Sequence, residues 1–222
     1  MTIHALLIGN NHDAPYHPLN AIQEQLIGIL GDSIQVNATD DTTKLMQAAI
    51  NQYDLLISYR DNWKQALAVE EVAGVLQFVA NGGGLLVIHN GISMQESPEL
   101  CQLIGAKFTG HPDYTSLPFQ ATAIEHPLMD GLKGFIMDEE PYRFELDPFV
   151  EMEILLTYRH ENQDWPAAWT RHYGKGRVVF LAPGHHLPSF LNEDFGRWIV
   201  NSARWAAGDS SKEASLEQSI DT

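Results

Sequence analysis

The chain has 222 residues, of which 44% are hydrophobic and 19% charged, a balance that suits one α/β domain and excludes a disordered chain. Its formal net charge of -16 repels nucleic-acid backbones and anionic membranes, so neither is expected as a partner. A single cysteine, Cys101, rules out an intrachain disulfide framework.

The N-terminal residues lack a basic leader, and their short apolar run reads as a strand rather than a secretory signal. No stretch approaches the roughly 20 apolar residues of a membrane-spanning helix. A cytoplasmic location is therefore expected. Ala5-Leu6-Leu7-Ile8-Gly9 is the first strand, a continuous apolar run of the kind buried on both faces of a parallel sheet. Residues 19–30 carry apolar side chains at helical spacing, and 34–38 form a second strand. A short capped helix over 43–50 leads to a third strand at 53–58. Residues 69–80 form a helix that ends at Asn81-Gly82-Gly83-Gly84, followed by a fourth strand at 85–89 and a helix near 98–104. This alternation predicts a mainly parallel sheet with helices on both faces, a three-layer sandwich.

Residues 108–149 are rich in Pro, His, Asp and Glu, and are expected to hold short strands and long loops. Regular strands return at 154–158, 167–170 and 178–182, and an amphipathic helix over 190–207 closes the domain. The domain is assigned to 1–208. The polar residues 209–222 are expected to form a frayed tail.

Ligands of open parallel sheets bind at the carboxyl ends of the strands, so the polar residues just after predicted strands are the candidates. These are His12 and Asp13 after the first strand, Tyr59-Arg60-Asp61 after the third, His89 and Asn90 after the fourth, and His185 and His186 after the last. Gly110-His111-Pro112 and Asp138-Glu139-Glu140-Pro141-Tyr142-Arg143 are expected to fold over them.

Five blocks resemble the ThuA-like (trehalose utilisation) family in order. They are Gly82-Gly83-Gly84-Leu85-Leu86-Val87-Ile88-His89, Phe108-Thr109-Gly110-His111-Pro112, Glu125-His126-Pro127-Leu128, Asp138-Glu139-Glu140-Pro141-Tyr142, and Gly174-Lys175-Gly176-Arg177-Val178 with Pro183-Gly184-His185. The resemblance implies a flavodoxin-like core similar to class I glutamine amidotransferases, and a link to carbohydrate metabolism. It also supplies a test. The amidotransferase nucleophile is a cysteine in a sharp strand-to-helix turn, and the matching turn here, Val87-Ile88-His89-Asn90-Gly91, carries histidine. Thioester chemistry needs a thiolate at that point, so the amidotransferase reading is rejected.

The remaining chemistry lies in His89, His111, His185 and Glu140. Imidazoles with a carboxylate suit either a divalent ion such as zinc or manganese, or metal-free acid–base catalysis. His89, His111 and His185 are assigned as metal ligands. Glu140, His89 and His185 are assigned as catalytic groups, and Asn90, Tyr142, His12 and Arg60 as substrate contacts. The expected function is an enzyme acting on a carbohydrate or keto-sugar. The alternative is a non-catalytic module that binds a sugar or a protein. The sequence leaves the oligomeric state open: an apolar edge strand, or the Trp198 and Trp205 face of the last helix, could form a homo-oligomer.

Overall fold

β1 (Ile3–Gly9), β2 (Ile34–Thr39), β3 (Leu55–Tyr59) and β4 (Gly84–Ile88) are the apolar runs read from the sequence. β3 and β4 are buried along their whole length, because helices cover both faces. These elements belong to a computed structural model that describes residues 2–209; the tail assigned to 209–222 lies outside the described residues apart from Asp209.

The helix expected over 19–30 divides into a 3-10 turn at Leu19–Ala21 and α1 (Gln23–Leu30), because Ile22 departs from helical geometry at φ -125°. The 43–50 helix divides likewise at extended Met46, into a 3-10 turn at Thr42–Leu45 and α2 (Gln47–Ile50). Asp41 accepts from the Thr43 backbone N–H, the cap expected of it. α3 (Val69–Ala80) and α4 (Pro98–Ile104) match their expected limits.

The 108–149 segment holds short strands, as expected, at positions that the sequence did not mark. It supplies β5 (Ala106–Gly110), β6 (Thr115–Ala121), β7 (Phe135–Glu139) and β8 (Arg143–Leu146). β9 (Glu153–His160), β10 (Gln163–Tyr173) and β11 (Gly176–Leu181) follow, then α5 (Leu187–Phe190) and α6 (Glu193–Ala206). The nine-stranded sheet runs β2-β1-β3-β4-β11-β10-β9-β6-β7. Its parallel half, β2-β1-β3-β4-β11, has the flavodoxin-like order. From β11 onward the pairing is antiparallel. β5 and β8 form a separate two-stranded sheet beside it.

α1, α5 and α6 pack on one face of the sheet, α2, α3 and α4 on the other, giving three layers. A single apolar cluster runs through them, with Trp169, Trp198 and Phe180 among its largest fully buried side chains. Trp198 and Trp205 are spent on this core, so that face of α6 offers no apolar surface to a second copy. Among the described residues no helix is long and apolar enough to cross a membrane.

Candidate functional site

The chain order reverses between β1 and β3, and the loops that leave the carboxyl ends of β1, β3, β4 and β11 meet beyond that point. At the end of β4, His89 takes φ +47°, a left-handed backbone that histidine tolerates better than most residues, and leads into a 3-10 helix over His89–Glu96. This is the turn where an amidotransferase would hold its cysteine.

His89 is fully buried. Its Nδ1 lies 2.6 Å from the Ala182 carbonyl oxygen, which can only accept, so Nδ1 carries the proton and Nε2 keeps its lone pair. That lone pair faces Glu140 Oε2 at 3.2 Å. His185, placed by the turn after β11, brings Nδ1 to 3.3 Å from the same oxygen. His17, at the end of the loop after β1, sets Nε2 2.9 Å from His185 Nδ1. Its Nδ1 is 3.1 Å from Asp61 Oδ2, in an ion-pair contact too bent to be a hydrogen bond. Ligand atoms of His17, His89, Glu140 and His185 all lie within 4.8 Å of one another.

Burial pushes the His89 imidazole down to about 4, despite the opposing bond from Glu140, so it is neutral at pH 7. Burial alone would raise the Glu140 carboxyl, but its contacts with His185 and His89 outweigh this and hold it well below the usual carboxylate range. For His185, burial is outweighed by Glu140, and its pKa is raised. The ionised Glu140 therefore stands between a His185 that favours the proton and a His89 that does not.

Glu139 has a different task. Its carboxylate accepts from the Gly184 N–H at 2.8 Å and from the His185 N–H and the Ser189 hydroxyl, which fixes the turn carrying His185. Burial pushes it up to about 7, against those hydrogen bonds. The folded pKa lies above the model-peptide value, so the stability contributed by the protonated form is present below about pH 4.5 and is lost as pH rises through 7. The wild-type protein is expected to lose up to about 3 kcal/mol between pH 4.5 and 7.5 relative to Glu139→Gln. Urea midpoints of the two proteins across that range check this; parallel pH curves would contradict it.

Of the cluster, His17 and Glu140 line a cleft of about 920 Å³, and His89 and His185 stand outside its lining. Tyr142 is buried and stacks on His89, ring centroids 4.1 Å apart. Of the residues singled out from the sequence, Glu140, His89 and His185 come together and Tyr142 lies against them. His111 lines the cleft but stands outside the four convergent residues. Its Nε2 is 3.6 Å from Glu140 Oε1, and its Nδ1 is taken up by the Pro112 carbonyl. Three substrate contacts are corrected. Asn90 is fully buried and donates to the Tyr59 carbonyl, so it braces the turn beneath His89. Arg60 is buried, and its guanidinium donates to the Asn62 and Gln65 carbonyls. His12 is exposed and lies outside the cleft lining.

His17 is the convergent residue that sequence reasoning missed, while Asp61 was among the strand-end candidates but was given no role. His17 was within reach of the rule that found the others, since its loop follows a strand of the parallel half. His12 was preferred because it stands nearer to β1, yet the loop needs its full length to bring an imidazole back over the sheet.

This arrangement defines an α/β protein with a histidine–carboxylate pocket at the switch point of a flavodoxin-like sheet. The chain belongs to the ThuA family: the family model, described as trehalose utilisation, matches residues 6–206. The chain is similar in structure to a ThuA-like protein from Parabacteroides merdae, with 17% identity, a TM-score of 0.78, and 94% of this chain and 91% of that one covered. A ThuA-like protein from Bacteroides uniformis shares 20% identity at a TM-score of 0.76, over 92% and 91% of the two chains. A β-galactosidase from Rahnella sp. R3 shares 16% identity at a TM-score of 0.62, over 92% of this chain but 31% of that enzyme. No protein of curated function matches the sequence. At these identities the likeness shows the fold, and the family places the chain among proteins linked to carbohydrate use.

Proposed function

We propose that the chain is an enzyme of carbohydrate metabolism that acts on a sugar or keto-sugar in the cleft, with a divalent ion such as zinc or manganese held by His17, His89, Glu140 and His185. The observation that carries this reading is the convergence of ligand atoms from four residues, all within 4.8 Å of one another. His89 Nε2 is unprotonated, Glu140 is ionised, and His17 Nε2 and His185 Nδ1 meet them. Three imidazoles and one carboxylate converging on one point are a donor set for a divalent ion, which would take the place of the proton now shared between His185 and Glu140. The surroundings fit as well: the Ala182 carbonyl orients His89 and the Asp61 carboxylate stands behind His17, as outer partners of metal-bound histidines do.

A bound ion would supply Lewis acidity toward a sugar carbonyl or hydroxyl. The chain's own groups supply the rest. Tyr142 shields His89 from solvent, which keeps its lone pair unprotonated. Glu140 Oε1, the oxygen turned away from His89 and His185, stands near His111 where the cleft opens, a position from which a proton can be taken up and passed outward.

Elemental analysis of untagged protein tests this reading. Near-stoichiometric metal is expected in wild type and in His111→Ala, and its loss in His17→Ala, His89→Ala and His185→Ala. Failure of wild type to retain any divalent ion after reconstitution would overturn the metal centre. Saturable sugar binding without product would then support the non-catalytic module.

A further inference from the structure

The 61–65 loop at the mouth of the cleft is held from below to an unusual degree. Arg60 donates to the Asn62 carbonyl at 3.1 Å and the Gln65 carbonyl at 2.9 Å. Asn62 Oδ1 accepts from the backbone N–H groups of Lys64 and Gln65, and the Asn62 N–H donates to Ser93 Oγ. On this base sits Trp63, only partly buried, whose indole N–H donates to Asp61 Oδ1 at 2.8 Å. The other oxygen of that carboxylate is the one beside His17. One side chain therefore ties the indole to the histidine cluster. From Trp63 inward the ring contacts continue through Phe108 at 5.1 Å and Tyr142 at 4.2 Å, as far as His89.

The charges around the mouth are one-sided. Asp13, Asp61 and Glu140 line the cleft, and Lys64 is the one lysine or arginine among the lining residues. Arg60, the cation next to Asp61 in the chain, is committed to backbone carbonyls.

We infer that Trp63 is a stacking platform for an uncharged sugar ring, and that this mouth selects unphosphorylated sugars over their phosphate esters. The inference rests on the carbohydrate reading above and gives it a substrate class. The apolar face of a pyranose fits an indole whose orientation is already fixed, and its hydroxyls have Asp13, Asn10 and Gln65 as neighbours along the lining. A phosphate ester carries a charge of about −2 near neutral pH and would meet the carboxylates of Asp13, Asp61 and Glu140 against Lys64 and an ion already bound to Glu140, a repulsive element that disfavours it.

Calorimetric titration of the metal-loaded protein with trehalose and glucose, each beside its 6-phosphate, tests the inference. Trehalose or glucose is expected to bind wild type, and its 6-phosphate at least about tenfold more weakly. Trp63→Ala is expected to weaken the neutral sugar by about tenfold or more while Trp63→Phe keeps most of the affinity. Equal or tighter binding of the phosphate ester, unchanged binding in Trp63→Ala, or no binding of any of the four sugars to wild type would overturn the platform. Metal content separates this outcome from failure of the broader reading. Trp63→Ala is expected to hold the wild-type complement of ion, so lost sugar binding with retained metal belongs to the platform alone.

Discussion

Glu140→Gln is expected to lower turnover by about 10²- to 10⁴-fold while the protein still folds. Glu140 Oε2 is shared by His89 at 3.2 Å and His185 at 3.3 Å, and Oε1 faces His111 at 3.6 Å. Glutamine keeps the shape but replaces one oxygen with an N–H donor and removes the negative charge. Whichever way the amide turns, either the histidine lone pairs lose their cation-binding partner or the cleft loses its proton acceptor. Metal affinity is expected to fall together with turnover, and Glu140→Asp should recover part of both. The pH sign follows from the depressed folded pKa: stability from the ionised Glu140 is present above about pH 4.5 and lost as pH falls through the lower folded value. Melting curves of wild type and Glu140→Gln should therefore converge on acidification. Full activity in Glu140→Gln would remove this carboxylate from the mechanism.

The parallel half of the fold was legible because its strands are covered on both faces and read as unbroken apolar runs. Leu55-Leu56-Ile57 and Leu85-Leu86-Val87-Ile88 admit little else. The antiparallel extension was not legible, for a physical reason. β7 alternates strictly, with Phe135, Met137 and Glu139 inward and Ile136 and Asp138 outward, but it spans only five residues and one of its inward positions is an acid. β6 carries Pro118 within it. Alternation over so few residues, broken by proline and charge, is weaker than the loop-like composition around it.

The site was legible to the extent that it hangs on strand ends. His89 and His185 follow β4 and β11 directly, so the topology alone points them at one crevice. Glu140 sits one residue past β7, in the 138–143 segment already expected to fold over the strand ends, and the family resemblance then singled out that block. Sequence could not say which histidine of the 10–18 loop turns inward, because that depends on a path in space rather than on spacing. Arg60 shows the converse. Its place after β3 suggested a substrate contact, yet a guanidinium with five donors can equally well organise a loop, and here it does.

Gly91→Ala is expected to be among the most damaging small substitutions in the protein. A Cβ at this position would lie 2.1 Å from the Ser58 carbonyl oxygen and 2.7 Å from its carbon, both backbone atoms of fully buried β3. No flexible side chain can yield, so the turn must lift away from the sheet. Overpacking of this kind costs about 1–3 kcal/mol and occasionally more. The displaced residues include His89, whose 2.6 Å bond to Ala182 sets the tautomer on which the site depends. A shift of about 1 Å there is enough to cost on the order of 100-fold in turnover. Gly28→Ala provides the contrast: Gly28 is exposed on α1, and a Cβ there would meet nothing within 4 Å. Relief of glycine's backbone entropy in that helix should stabilise the protein by about 0.5–1 kcal/mol with no effect on the site. Urea midpoints and metal content of the two variants decide the matter. Were Gly91→Ala to keep wild-type stability and metal, the close packing of the His89 turn against β3 would not be what holds the histidine in place.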